Sequence, residues 1–254
     1  MTAPLVLGCG VLGLAVGSFL NVVAHRVPRH QSLVRPGSRC PYCAAPVRPF
    51  DNLPVASWLI LDGRCRTCRT PIPVRYPAVE LVTATLFSAI ALRFGMSPEL
   101  PAFLVGFASL LALTVMAMEH DVLPRSVVWS TLVATGVLLT LAAGVQPRWH
   151  RLGDALAGAA GAWALVGLGR SAWSRRVAGS DVCLAPLTGA LLGFLSLSHV
   201  LVSLGMAAVL AGLFSSTSPT ENRRGRYVRI PLAPILVVMA VATTLLGDSV
   251  LTIG

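Results

Sequence analysis

The sequence predicts an all-α polytopic membrane protein of about eight transmembrane helices, with a small cytoplasmic four-cysteine zinc-binding domain inserted after the first helix. Three observations carry that expectation. The 254-residue chain is 55% hydrophobic and only 12% charged, roughly half the charge of an ordinary soluble domain, and its mean hydropathy is +0.75. The apolar residues fall in long uncharged runs, several near the roughly 20 residues that a spanning helix needs. The 20 basic residues are all arginine, and they gather in the loops between those runs. A formal charge of +10 distributed in this way speaks for membrane topology and against a nucleic-acid surface.

The first run, 4–24, begins at once and is long enough to span. It lacks the basic leader region of a cleavable signal, so it is expected to be a retained helix. The later runs lie at 78–95, 100–118, 126–145, 154–170, 182–198, 200–215 and 231–247. The fifth and sixth are short and rich in Gly and Ala. Small residues such as those of "AGAAGAWALVGLG" let helix backbones approach closely. No tandem repeat or low-complexity linker is read. The expected organisation is a first transmembrane helix over 1–25, a cysteine domain over 26–77 and a membrane helical domain over 78–254.

Eight spans put the segments 26–76, 119–125, 170–181 and 216–230 on one side, with 17 of the 20 arginines. Only Arg93, Arg148 and Arg151 fall on the other side. Positive loops favour the cytoplasm, so the cysteine loop is expected there, with both termini outside. Trp129, Trp149 and Trp173 read as anchors at the membrane interface.

The cysteine loop reads "RCPYCAAPVRPFDNLPVASWLILDGRCRTC" over 39–68. Cys40, Cys43, Cys65 and Cys68 stand as C-x2-C-x21-C-x2-C. Each C-x2-C can put two thiolates on one side of a tight turn, and two such turns can close a tetrahedral site suited to zinc. A loop of this size with few core aliphatics also needs a staple. Four protein ligands leave no open coordination position, so the expected metal is structural. Free thiols or two disulfides remain the alternatives. Cys9 and Cys183 read as small buried hydrophobes.

"GSFLNVVAHRVP" (17–28), "RCPYC" (39–43), the second C-x2-C and "RYPAVELVTA" (75–84) together resemble the type IV prepilin peptidases. These are bacterial membrane aspartic peptidases that cut prepilin leader peptides and N-methylate the new N-terminus. The resemblance implies a multi-pass protein of the cytoplasmic (inner) membrane, surrounded by lipid. It also implies prepilin-like protein substrates, S-adenosylmethionine as methyl donor, and no nucleic-acid partner. Family members use two aspartates, one in D-x5-[IL]-P and one in Gly-x-Gly-Asp, typically followed by x-Lys. Water must lose a proton to one carboxylate while the other polarises the scissile amide.

The first motif aligns with "AMEHDVLP" (117–124), where Leu123 and Pro124 match but Ala117 stands in the place of the aspartate. The second aligns with "AGSDVCL" (178–184), where Asp181 matches, Ser180 replaces a glycine and Cys183 replaces the lysine. Asp121 lies one helical turn beyond Ala117 and is the possible substitute; Glu119 would face away. Both acids equally suit a solvated helix end, and Asp181 equally suits a helix N-cap. Asn21 and His25, at i and i+4, either line a substrate groove or serve helix packing and the interface. Glu80 is costly against lipid and is expected to face a cavity or an arginine.

Three functional expectations follow. The first is a peptidase and N-methyltransferase, with Asp181 and the substitute Asp121 as its catalytic acids. The second is a proteolytically impaired relative acting as a methyltransferase or assembly partner. The third is a small-solute transporter, which the scarcity of polar residues within the helices disfavours.

Overall fold

All eight apolar runs fold as helices. The computed structural model describes residues 2–35, 37–119, 123–172, 177–217 and 230–251. The described α-helices are α1 (Thr2–Arg26), α2 (Ala56–Ile60), α3 (Arg75–Phe94), α4 (Leu100–Glu119), α5 (Arg125–Val145), α6 (His150–Ala172), α7 (Gly179–Leu195), α8 (Leu197–Thr217) and α9 (Leu232–Leu251). Among the described residues there is no named strand; two isolated antiparallel bridges, Arg39 with Pro46 and Arg64 with Pro71, shape the cysteine loop. Among the described residues six helices are long and apolar enough to cross a membrane, and the apolar stretches Gly179–Leu195 and Leu232–Gly247 are shorter. The chain is an integral membrane protein.

By packing, the chain divides into two compact units, Met1–Met96 and Ser97–Gly254. The first unit pairs α1 with α3, and the segment between them forms the cysteine loop. The pairing depends on glycines in α1. A Cβ on Gly17 would lie 2.7 Å from Glu80 Cα, and one on Gly13 would lie 2.7 Å from Ala84 Cα. Large side chains on the outer face of α1, such as Leu7 and Val11, stay exposed, as expected of a lipid-facing surface. The chain leaves α1 through a short 3-10 turn, Val27–Arg29, with Pro28 in it.

The second unit is built around α7, which packs against α4, α5, α6, α8 and α9. Its Leu184, Leu187, Leu191, Leu192 and Phe194 are fully buried, as are Phe103, Phe107, Leu110 and Leu113 of α4. The pairing of α6 with α7 is the tightest: Gly158 and Gly189 face each other's backbone carbonyls so closely that neither has room for a Cβ. Beyond one end of the helices, Glu99 binds Arg148 at 3.2 Å and Arg151 at 2.9 Å.

The sixth apolar run was expected over 182–198, but its helix is Gly179–Leu195. Hydropathy begins the run at its first aliphatic residue. The chain instead begins the helix after the extended Ala178 and breaks it at Ser196, whose φ of −173° and ψ of 160° are extended backbone. Helix α3 likewise starts at Arg75, three residues before its apolar run.

Candidate metal centre and active-site residues

The two cysteine turns are copies of one another. Cys40 N–H donates to Ala45 O at 3.0 Å, and Ala44 N–H donates back to Cys40 O at 2.9 Å. In the second turn Cys65 N–H donates to Thr70 O at 2.9 Å, and Arg69 N–H to Cys65 O at 3.0 Å. The residue after each second cysteine is left-handed, Ala44 at φ 56° and Arg69 at φ 59°, which folds the chain back beneath the sulfurs. The sequence signal for this symmetry is R-C-x2-C-x2-P, present at 39–46 and again at 64–71. Spacing of the cysteines alone did not reveal that the flanking Arg and Pro repeat as well.

The four sulfurs all lie within 4.8 Å of one another, and Cys40 Sγ is 3.7 Å from Cys68 Sγ. Tetrahedral ligation with metal–sulfur bonds near 2.3 Å sets sulfur–sulfur edges of about 3.8 Å. None of the four is in a disulfide, so the cluster can hold a metal ion. Cys68 and Cys43 are pushed in opposite directions. The Thr70 hydroxyl and amide hold the Cys68 thiol down to about 6. Cys43 is favoured as thiolate by the Ala45 amide, yet burial and the three neighbouring sulfurs push it up to about 11. Sulfurs this crowded cannot all be thiolates without a cation among them.

Other contacts brace the loop. Arg66, between the second pair of cysteines, grips Asp51 with Nη2 to Oδ1 at 2.6 Å and Nε to Oδ2 at 2.9 Å. Both Arg48 and Arg66 stand over the Phe50 ring, at 5.8 and 5.6 Å. The Trp58 indole N–H donates to Ile72 O at 3.1 Å. Its ring covers Gly63, where φ is 63° and a Cβ would sit 2.8 Å from the indole.

Between α1, the start of α3 and this loop runs a groove of about 430 Å³, lined by Asn21, His25, Trp58, Tyr76 and Glu80, with Cys40 and Cys65 also on its wall. Asn21 lines this groove and also bonds across to the neighbouring helix. Its Nδ2 donates across to Tyr76 O at 3.1 Å and along α1 to Gly17 O at 3.3 Å, while its buried Oδ1 has no protein partner. Leaving such an acceptor unmade costs about 1–3 kcal/mol. His25 is on the wall of the groove. Glu80 also faces this cavity, and its Oε2 accepts the Val55 N–H at 2.7 Å. Val55 has φ 60° and ψ −51°, and the Ala56 N–H donates to Pro54 O across it. That is a γ-turn of the strained hand, at a β-branched residue.

The aspartate-bearing motifs lie in the second unit. Asp181 is 3% exposed, and its Oδ2 accepts the Ala178 N–H at 3.0 Å, so it caps α7. The Ala233 N–H, at the start of α9, and the Arg170 guanidinium also act on its carboxylate. Ser180 is fully buried with an unpartnered hydroxyl. Cys183 donates to Gly179 O at 3.6 Å. Ala117 is half-buried near the end of α4, and Leu123 is buried just before Pro124, the residue preceding α5. Asp121 lies outside the described residues, as does Trp173.

The family described as the bacterial peptidase A24 N-terminal domain matches residues 11–94. A prepilin leader peptidase/N-methyltransferase of Pseudomonas aeruginosa is 32% identical over 270 residues, covering 94% of this chain and 90% of that protein. One of Neisseria gonorrhoeae is 32% identical over 228 residues, covering 80% and 79%. The chain belongs to the prepilin leader peptidase/N-methyltransferase family. A member from Myxococcus xanthus is 40% identical over 204 residues, which cover 80% of this chain and 61% of that protein. No solved structure matches the chain. With the family assigned, the transporter alternative falls away. The matched family region holds both cysteine turns and every groove residue named above, whereas Asp181 and Ala117 lie beyond it.

Proposed function

We propose that this chain processes prepilin-like proteins at the bacterial inner membrane, removing the leader peptide and N-methylating the new N-terminus. In this reading the cysteine loop faces the cytoplasm, the four sulfurs hold a structural zinc ion, and S-adenosylmethionine is the methyl donor. Lipid surrounds the helices, and nucleic acid is not a partner. The observation that carries the reading is that the family's N-terminal domain, 11–94, fills almost the whole of the first unit, Met1–Met96. The relatives' names and the arginine asymmetry support it further. The first unit supplies a groove with aromatic walls, an unsatisfied acceptor on Asn21 and the carboxylate of Glu80. Asp181 supplies one buried carboxylate, able to take a proton from water, and Asp121 is the proposed second.

A second reading is favoured by Ala117, which carries no acid where the family has one. In that version the chain methylates or assembles prepilin-like subunits that another peptidase has cut. Cleavage of a cognate substrate by the detergent-solubilised protein separates the two. General acid–base assistance is worth roughly 10²–10⁴-fold per group. Slow cleavage by the native chain is expected, abolished by Asp181→Asn and by Asp121→Asn, and accelerated on that scale by Ala117→Asp. Methylation of a pre-cut peptide with no cleavage supports the second reading. Robust cleavage that survives Asp121→Asn removes Asp121 from the site.

A further inference from the structure

We infer that the groove of the first unit is a receptor for the free α-amine of a peptide, held by the Glu80 carboxylate and the Asn21 side-chain carbonyl. The inference rests on the N-methyltransferase reading and names the residues that hold its acceptor group. Four observations lead to it.

First, the polar capacity left over on these two residues is acceptor capacity. Asn21 commits its amide hydrogens to Tyr76 O and Gly17 O. Reversing the amide would set its oxygen against two carbonyls, so the orientation is fixed. Oδ1 is left buried and unpartnered on a residue that is 3% exposed. Second, Glu80 is 8% exposed and belongs to the same groove. A buried carboxylate wants a cation or several N–H donors, and among the described residues its hydrogen-bond partner is one backbone N–H, from Val55. Third, that N–H is aimed by the strained turn at Val55. Strain of this kind concentrates at functional sites, and here it fixes where the carboxylate points. Fourth, of the three guanidiniums that line the groove, Arg66 is engaged by Asp51 and Arg26 by the carbonyls of Ser32 and Gly37, and among the described residues neither these nor Arg39 forms an ion pair with Glu80.

Asn21 bonds to the backbone at Tyr76, and Glu80 follows Tyr76 by four residues. Tyr76 and Glu80 are therefore about one helical turn apart along α3, and Asn21 and Glu80 line the same groove. A primary ammonium presents three donors, enough in number for both acceptors. An acetylated N-terminus has one donor, no charge and greater bulk. In the transfer itself the surplus ammonium proton leaves by the Glu80 carboxylate to water. The amine nitrogen then forms the new bond to the methyl carbon as the carbon–sulfur bond of a sulfonium donor breaks, leaving a neutral thioether.

The test uses the full chain in nanodiscs of phosphatidylcholine, which carries no primary amine. Two fluorescent apolar peptides are compared, identical except that one has a free α-amine and the other is N-acetylated. The native chain is expected to bind the free amine about tenfold tighter or more, the scale of a charged hydrogen bond. Glu80→Gln keeps an oxygen for the Val55 N–H and is expected to bring the ratio close to one, with helix content unchanged by circular dichroism. Should that variant lose helix content, Asn21→Ala takes its place, with a several-fold loss of preference expected. Equal binding of the two peptides by the native chain overturns the inference. So does a folded Glu80→Gln chain with the full preference. Methyl transfer is read in the same preparations. Preference for the amine without any methyl transfer sinks the methyltransferase reading and leaves the receptor. Methyl transfer undiminished in both variants sinks the receptor and leaves the reading.

Discussion

Asp51 is tied to the second cysteine turn by a two-pronged contact with Arg66, and the hydrogen bond from that guanidinium, followed by its charge, holds the Asp51 carboxyl below the usual carboxylate range. The sign of the consequence follows from linkage. A depressed carboxylate stabilises the fold above its unfolded value, near 4, and that contribution is lost as pH falls through the lower folded value. Metal affinity falls with acid too, because sulfur ligands must be deprotonated. Asp51→Asn removes the first effect and leaves the second. Zinc release followed by a chromogenic chelator is therefore expected to begin at higher pH in Asp51→Asn than in the native loop. Superimposable release curves would remove Asp51 from the metal site's support. At this scale the four cysteines were legible because ligation imposes spacing. The Asp51–Arg66 pair and the strained Val55 were not, because contacts between residues far apart in a loop leave no periodic trace.

Among the elements, α6 and α7 depend on glycine in a way the sequence half disclosed. The stretch of small residues in α6 was visible, but not which of them face a partner. Gly158 and Gly189 meet backbone to backbone, and Gly193 packs on the carbonyl of Asp154, whereas Gly153 and Gly161 have nothing within 4 Å of an added Cβ. Composition cannot separate these two sets; only the rotation of the helix against its neighbour does. Gly158→Val should force the pair apart and cost roughly 1–3 kcal/mol or more, the scale of overpacking. Gly161→Val, on the open face, should fall within about 0.5 kcal/mol of the native chain. Thermal melting in detergent compares them, and equal losses would contradict the packing described. Because α7 also carries Asp181 in its first turn, Gly158→Val should weaken any cleavage as well.

For the molecule as a whole, the class was legible because hydrophobic length and loop charge follow directly from the physics of a bilayer. The eight runs were placed to within a few residues. The division of the chain at Met96 and Ser97 was not legible, since it reflects which helices pack on one another rather than any change in composition. The proposed function joins the two levels: cytoplasmic arginine-rich loops, a metal-braced groove, and a family of prepilin-processing enzymes. The most direct test follows a cognate prepilin-like substrate by mass spectrometry in vesicles of both orientations, one with the cytoplasmic face outward and one with it inward. With substrate added from outside, a product that has lost its leader and gained one methyl group is predicted only where the cytoplasmic face is outward. A substrate left unchanged in both orientations, or processed equally in both, would contradict it.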